Sequence, residues 1–216
     1  MLEHLSSLID VYEDRGVGDR GIAALEDKGG AASQEETWRL GWVHNNLAIA
    51  YTRSGDLDRA HANAVKALAC YEEERSTYPQ VFMHVHLAFI NYRANRLDTA
   101  LVHGRKAEAL IRGHQWNDAN LLAIARVPHA GIVYLQGDVA GARQMLEPGM
   151  QVMARGEGWV DFFLHGYATL ARARCALEGM APARDALDDG FAVAEARGLP
   201  RLRLGLSIVA LELLTR

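Results

Sequence analysis

The chain has 216 residues, half of them apolar, with 23 Lys and Arg against 27 Asp and Glu, a net charge of −4 and a pI near 6.1. That balance provides no overall basic field to hold a phosphate backbone, so direct nucleic-acid binding is excluded as the main activity. The apolar runs are short and interrupted by charge, which excludes a membrane-spanning helix, and Met1-Leu-Glu-His is no signal peptide. Cys70 and Cys175 lack CxxC or Cys/His spacing and read as buried free thiols in a reducing cytoplasm.

Leu2 to Asp14 carries a helical stripe at Leu2, Leu5, Leu8, Ile9 and Tyr12. The run Gly16 to Gly21 then matches the letters of G-x-G-x-x-G. A dinucleotide turn needs a strand before it, and the preceding residues are helix-periodic, so a plain loop is the reading. Ile22 to Lys28 is a short helix ended by Gly29-Gly30. The next helix spans Ser33 to Ser54, with Ser33 and Glu36 as a capping box. Gly55 supplies a left-handed stop, and Asp56 caps a helix running to Arg75. Pro79 lies in the first turn of a helix ending at Asn95, followed by one from Leu97 to Gly113. Trp116 to Gln136 comes next, stopped by Gly137. Its partner, Val139 to Arg155, contains Pro148, which should kink or break it. Trp159 to Glu178, Ala181 to Arg197 and a last apolar helix to Thr215 complete the chain.

Ala60, Ala100, Ala142 and Ala183 recur at nearly equal intervals, with Gly55, Asn95, Gly137 and Gly179 at the matching turns. Small residues at Ala48, Ala60, Ala64 and Ala67 suit two closely packed antiparallel helices. This hairpin resembles the tetratricopeptide (TPR) repeat, lengthened by roughly one turn per helix over the ordinary period of about 34. The expected fold is all-α: a right-handed superhelix of about four TPR-like helix pairs with a leading and a closing helix, one repeat domain over 1–216.

Several stretches resemble a more particular group. Leu135-Gln-Gly-Asp-Val-Ala-Gly-Ala142, Gly158-Trp-Val-Asp161, Gly166-Tyr-Ala-Thr-Leu-Ala-Arg172 and Ala194-Glu-Ala-Arg-Gly-Leu-Pro-Arg-Leu202 are similar to the repeat region of large LuxR-type, MalT-like transcriptional regulators. That resemblance implies a sensor segment flanked, in a larger bacterial regulator, by a nucleotide-binding switch and a helix-turn-helix. No P-loop motif and no clustered basic helix occurs here, so the chain would be the sensor alone. The partners implied are a small-molecule effector, the other domains of the parent regulator, and a second copy in a homo-oligomer. The alternative is a scaffold that holds a partner's peptide.

No catalytic constellation is readable, no cofactor is implied, and the expectation is a protein that is not an enzyme. His84 and His86, two apart, point to different faces of a helix, and no histidine has a second ligand at i+4, so no metal site is expected. The informative polar and aromatic residues are those on the first helix of each pair, which lines the concave surface in such solenoids. On that register Trp42, Asn45, Phe89, Tyr92, His165 and Arg172 form the expected ligand-binding groove. The third copy departs from the pattern, with Arg126 and His129 where the repeat places Trp and Leu. A polar group at a core-facing position must find a partner, since an unsatisfied one costs about 1–3 kcal/mol. Arg126 and His129 therefore join the expected site.

Overall fold

A computed structural model describes residues 37–114, 118–156 and 158–215. The expected leading helix, the Gly16–Gly21 run, the short Ile22–Lys28 helix, the Ser33/Glu36 capping box and Trp116 lie outside the described residues. Among those described, every regular element is a helix: α1 (Thr37–Ser54), α2 (Leu57–Glu73), α3 (Thr77–Arg93), α4 (Leu97–Gly113), α5 (Ala119–Leu135), α6 (Val139–Arg155), α7 (Val160–Glu178), α8 (Met180–Ala196) and α9 (Pro200–Leu214). They form four pairs and the closing helix. The chain divides into two compact units, one reaching Leu110 and the other starting at Ile111.

The turns follow from the residues placed at them. Gly55, Gly137, Gly179 and Gly198 hold φ at +86°, +91°, +92° and +63°, the left-handed region that glycine enters without a Cβ clash. Asn95 does the same at +57°. The side chains of Asp56, Asp118 and Asp138 accept from the backbone N–H three positions on and so start α2, α5 and α6. Helix α2 stops at Glu73 rather than at Arg75, because Arg75 itself turns left-handed at +52°. The Ser76 N–H then reaches back to the Tyr71 carbonyl at 2.9 Å, as Arg96 N–H reaches Asn91 at 2.8 Å after Asn95. A left-handed non-glycine residue costs about 1–2 kcal/mol. Arg75 is exposed, so Arg75→Gly is expected to raise stability by about 1 kcal/mol, read as a higher urea midpoint.

Pro148 sits inside α6 without breaking it, so of the kink or break expected from the sequence the break does not occur. Proline removes a single amide, so one helical hydrogen bond is lost, that to the Gln144 carbonyl. Gln144 and Pro148 are both exposed, which leaves that carbonyl within reach of water. A second proline, Pro128, is buried inside α5 and also leaves its helix continuous.

In the first unit α1, α2 and α3 share a core of Val43, Leu47, Tyr51, Ala60, Ala64, Leu87 and Ile90, extended by Ala67, Tyr71 and Met83. Close approach is secured by small residues: a Cβ on Gly41 would stand 2.8 Å from the Tyr71 ring. In the second unit Gly190 of α8 fits between Leu206 of α9 and Tyr167 of α7, where a Cβ would meet them at 2.7 and 3.0 Å. The apolar surface thus withdrawn from water drives the packing. Glycine and alanine set how near the helices come.

Candidate functional site

The first-helix face is a ladder of polar contacts between successive repeats. In the first unit the His86 ring donates to the Asn45 side-chain oxygen at 3.2 Å, and Arg93 donates to the Thr52 carbonyl at 2.6 Å. In the second unit Arg201 pairs with Asp161 at 2.7 Å, and Arg172 grips both carboxylate oxygens of Glu212, the shortest contact being 2.6 Å. Each link joins positions one repeat apart. An arginine fork on a carboxylate fixes orientation as well as adding energy.

Of the eight residues expected in the groove, Trp42, Asn45, Phe89 and Tyr92 belong to the first unit and Arg126, His129, His165 and Arg172 to the second. Phe89 is only 5% exposed and packs in the interior. Asn45 and Arg172 are rungs of the ladder. Trp42, Tyr92, Arg126, His129 and His165 are half-buried. The rungs Glu212, Asp161 and Arg201 escaped sequence reading because a salt bridge that spans a whole repeat leaves no local pattern.

Arg126 proves less anomalous than the sequence suggested. Its register in the pair is that of His44 and His84 in the two preceding pairs. His44 donates from Nδ1 to the Asn63 side chain at 2.8 Å, and His84 and His103 share a hydrogen bond between their Nδ1 atoms at 3.0 Å. Each partner lies across the helical hairpin, at the same separation along the chain. A polar residue at this position is thus common to three of the four pairs.

The two neighbouring histidines His84 and His86 address different helices, as their spacing implied. His84 is buried, and its Nε2 has no hydrogen-bond partner. Burial first, then the neighbouring His103 and Lys106, pull its pKa down to about 4, so the ring is neutral at pH 7. Burial also lowers His44, His61 and His103. Among the described residues no group of three or more His, Cys, Asp or Glu could hold a metal ion. Cys70 and Cys175 are free thiols, half-buried rather than buried. No helix among the described residues is long and apolar enough to cross a membrane.

Two cavities in the second unit are lined by described residues. One, of about 510 Å³, is lined by α6, α7 and the last two turns of α8. Its walls include Met150, Ala154, Tyr167, Leu170 and Val193, together with Arg174 and Arg197. Both of these arginines are already engaged. Arg174 pairs with Glu147 at 3.0 Å, while Arg197 donates to the Met153, Ala154 and Gly156 carbonyls at 3.2, 2.8 and 2.7 Å. The Arg197 guanidinium also stacks 4.9 Å from the Phe163 centroid, so it caps α6 from the end of α8. Burial pushes the Tyr167 phenol up to about 12, so it stays neutral. The other cavity, about 670 Å³, lies between α8 and α9. Neither contains Arg126 or His129 in its lining.

No protein-family model and no curated protein sequence matches the chain. Its fold, however, is shared with solved structures. BtubC (BKLC) from P. vanneervenii superposes with a TM-score of 0.64 at 16% identity, over 91% of this chain and 81% of that one. A Podosopora anserina protein described as a putative kinesin light chain with nearly identical TPR-like repeats superposes with a TM-score of 0.60 at 17% identity, over 90% and 96% of the two chains. At such identities the likeness concerns the fold alone. The protein has an all-α, TPR-like helical-repeat fold.

Proposed function

We propose that this chain is a protein-interaction scaffold that holds a partner's peptide along the first helices of its repeats. The observation that carries this reading is the fold itself, shared with TPR-like repeat proteins over nine-tenths of the chain. A repeat array displays side chains from successive first helices on one extended surface, which suits an extended ligand better than a compact one. Half-buried Trp42 and Tyr92 offer aromatic surface at low entropic cost, and the polar ladder keeps the supporting helices in register. The chain is read as non-enzymatic and without a cofactor.

A second reading, the effector-sensing segment of a LuxR-type, MalT-like regulator, is favoured by one observation: the cavity of about 510 Å³, whose size suits a small molecule. Its Arg174 is paired with Glu147 and its Arg197 is held by three carbonyls, so a ligand that engaged either arginine would have to displace those contacts. This makes it the weaker reading.

Selection of a random peptide library on the immobilised chain separates the two. A consensus peptide should emerge whose Kd rises at least tenfold on Trp42→Ala or Tyr92→Ala, with helicity unchanged. A library that yields no binder, together with a metabolite that raises Tm of the same protein, would replace the scaffold by the sensor.

A further inference from the structure

The cavity between α6, α7 and α8 has two kinds of wall. Its floor is apolar, with Met150, Tyr167, Leu170 and Val193 all buried. Five charged side chains also line it: Glu147, Arg155, Arg174, Asp189 and Arg197. Three of them are committed, since Glu147 and Arg174 hold each other and Arg197 is held by backbone carbonyls. The other two are open. Arg155 is exposed and gives only its Nε, to the Gln151 carbonyl at 3.2 Å. Asp189 is exposed and forms no hydrogen bond or ion pair among the described residues. Its charge still raises the pKa of the Tyr167 phenol, so the carboxylate lies within electrostatic reach of the floor. A free cation on α6 thus stands across the cavity from a free anion on α8.

Their spacing follows from the helices. Arg197, one residue past α8, reaches carbonyls at the end of α6, so those two ends are level. At the other end Arg174 joins Glu147 to the first turn of α8, through the Pro182 carbonyl at 3.4 Å. The two helices therefore run the same way. Asp189 precedes Arg197 by eight residues, about 12 Å back along the axis. The bond to the Gln151 carbonyl folds Arg155 towards that level by one turn, about 5 Å. With the width of the groove added, the two charges stand roughly 10 Å apart. A single amino acid, about 3.5 Å long, is too short to join them, whereas three extended residues span about 10 Å.

We propose that this cavity binds a free tripeptide with an apolar middle residue, its ammonium on Asp189 and its carboxylate on Arg155. The planar guanidinium suits a carboxylate, and the central side chain leaves water for Met150, Leu170 and Val193. A segment inside a partner protein lacks both terminal charges, so the occupant is a small molecule and not a stretch of a larger chain. Neither arginine that is already engaged has to let go of its partners. The proposal rests on the cavity of the second reading. It uses no residue of the first-helix groove, so it holds whether or not a partner's peptide binds there.

The probe is Ala-Leu-Ala with both termini free, titrated calorimetrically into the full chain, and one saturable site is expected. Acetylating its ammonium or amidating its carboxylate should each weaken binding at least fivefold, and triglycine should bind at least fivefold more weakly. In Asp189→Asn acetylation should cause no further loss, and in Arg155→Gln amidation should cause none. Both positions are exposed, and circular dichroism checks that each variant is folded. Trp42→Ala should leave the titration unchanged, which separates this site from the peptide groove and its library selection. The proposal is overturned by absence of binding at millimolar peptide, or by triglycine binding as tightly. It is equally overturned if an end-blocking loss persists in the matching variant, or if Trp42→Ala abolishes the titration.

Discussion

Phe163→Ala should cost the second unit about 3–5 kcal/mol, the range for truncating a fully enclosed aromatic ring. Phe163 is 0% exposed in the first turn of α7. Three neighbours are fitted to its ring. Gly158 comes so close that a Cβ there would stand 2.8 Å from the ring edge. Tyr167 lies stacked one turn along, with centroids 6.5 Å apart and planes 14° apart. Arg197 covers the face, with its guanidinium committed to three carbonyls at the end of α6. None of these can collapse into the space left by the ring without giving up another contact, so the cavity persists. Urea unfolding monitored by circular dichroism should show the loss. A change below about 1 kcal/mol would mean the α6–α7 junction repacks freely, and Arg197 could not then be fixing it.

Acid should destabilise the first unit between pH 6.5 and 4, chiefly through His84. Its folded pKa of about 4 lies below the ordinary value of 6.5, so in that window the unfolded chain binds the proton and the folded chain does not. Stability from this group is complete above pH 6.5 and is lost as pH falls towards 4, with no further loss below. At about 1.36 kcal/mol per unit the full effect is about 3 kcal/mol. His44, His61 and His103, lowered in the same direction, add to the slope. Urea midpoints measured across the range should therefore fall with acidity, and His84→Gln should flatten the curve. An unchanged slope in that variant would place the sensitivity elsewhere. The hydrogen bond between the two imidazoles requires one ring to donate Nδ1–H and the other to accept, and the second proton that acid adds has no buried acceptor waiting for it.

Much of the architecture was legible because its signals are local. Gly55, Asn95 and Gly137 could be placed at turns because a left-handed residue must be one with little steric penalty, and Asp56 because a carboxylate caps the amides of the next turn. Arg75 was not legible. Its left-handed backbone is imposed by the hydrogen bonds that end α2, and nothing in an arginine announces it. Pro148 misled for the opposite reason: the local rule is sound, but a single unmet carbonyl on a wet face is too small a loss to break a helix packed along its other side.

The site was harder to read, because it is made by pairs that lie across a hairpin or a whole repeat from each other. His44 with Asn63 and His84 with His103 repeat the same cross-hairpin bond, yet each looks like an isolated polar residue within its own helix. Arg172 was expected to face a ligand and faces Glu212 instead, a carboxylate on the next first helix. Phe89, read from helical spacing as a groove wall, is interior because α3 is buried along most of its circumference. Spacing identifies a face, and only the neighbouring helices decide whether that face is open.

Arg197 has a consequence for the order in which the second unit comes apart. The terminal carbonyls of α6 are held by a side chain that belongs to the following repeat, so α6 cannot keep its last turn once α8 has left. Fraying that begins at α9 and takes α8 with it therefore reaches back into the previous pair in one step. In hydrogen-exchange experiments, amides in the last turn of α6 should share their opening free energy with α8, not with the first turns of their own helix. Cooperativity at this one junction would then be counted in repeats, because the end of α6 is held by an arginine borrowed from the next pair.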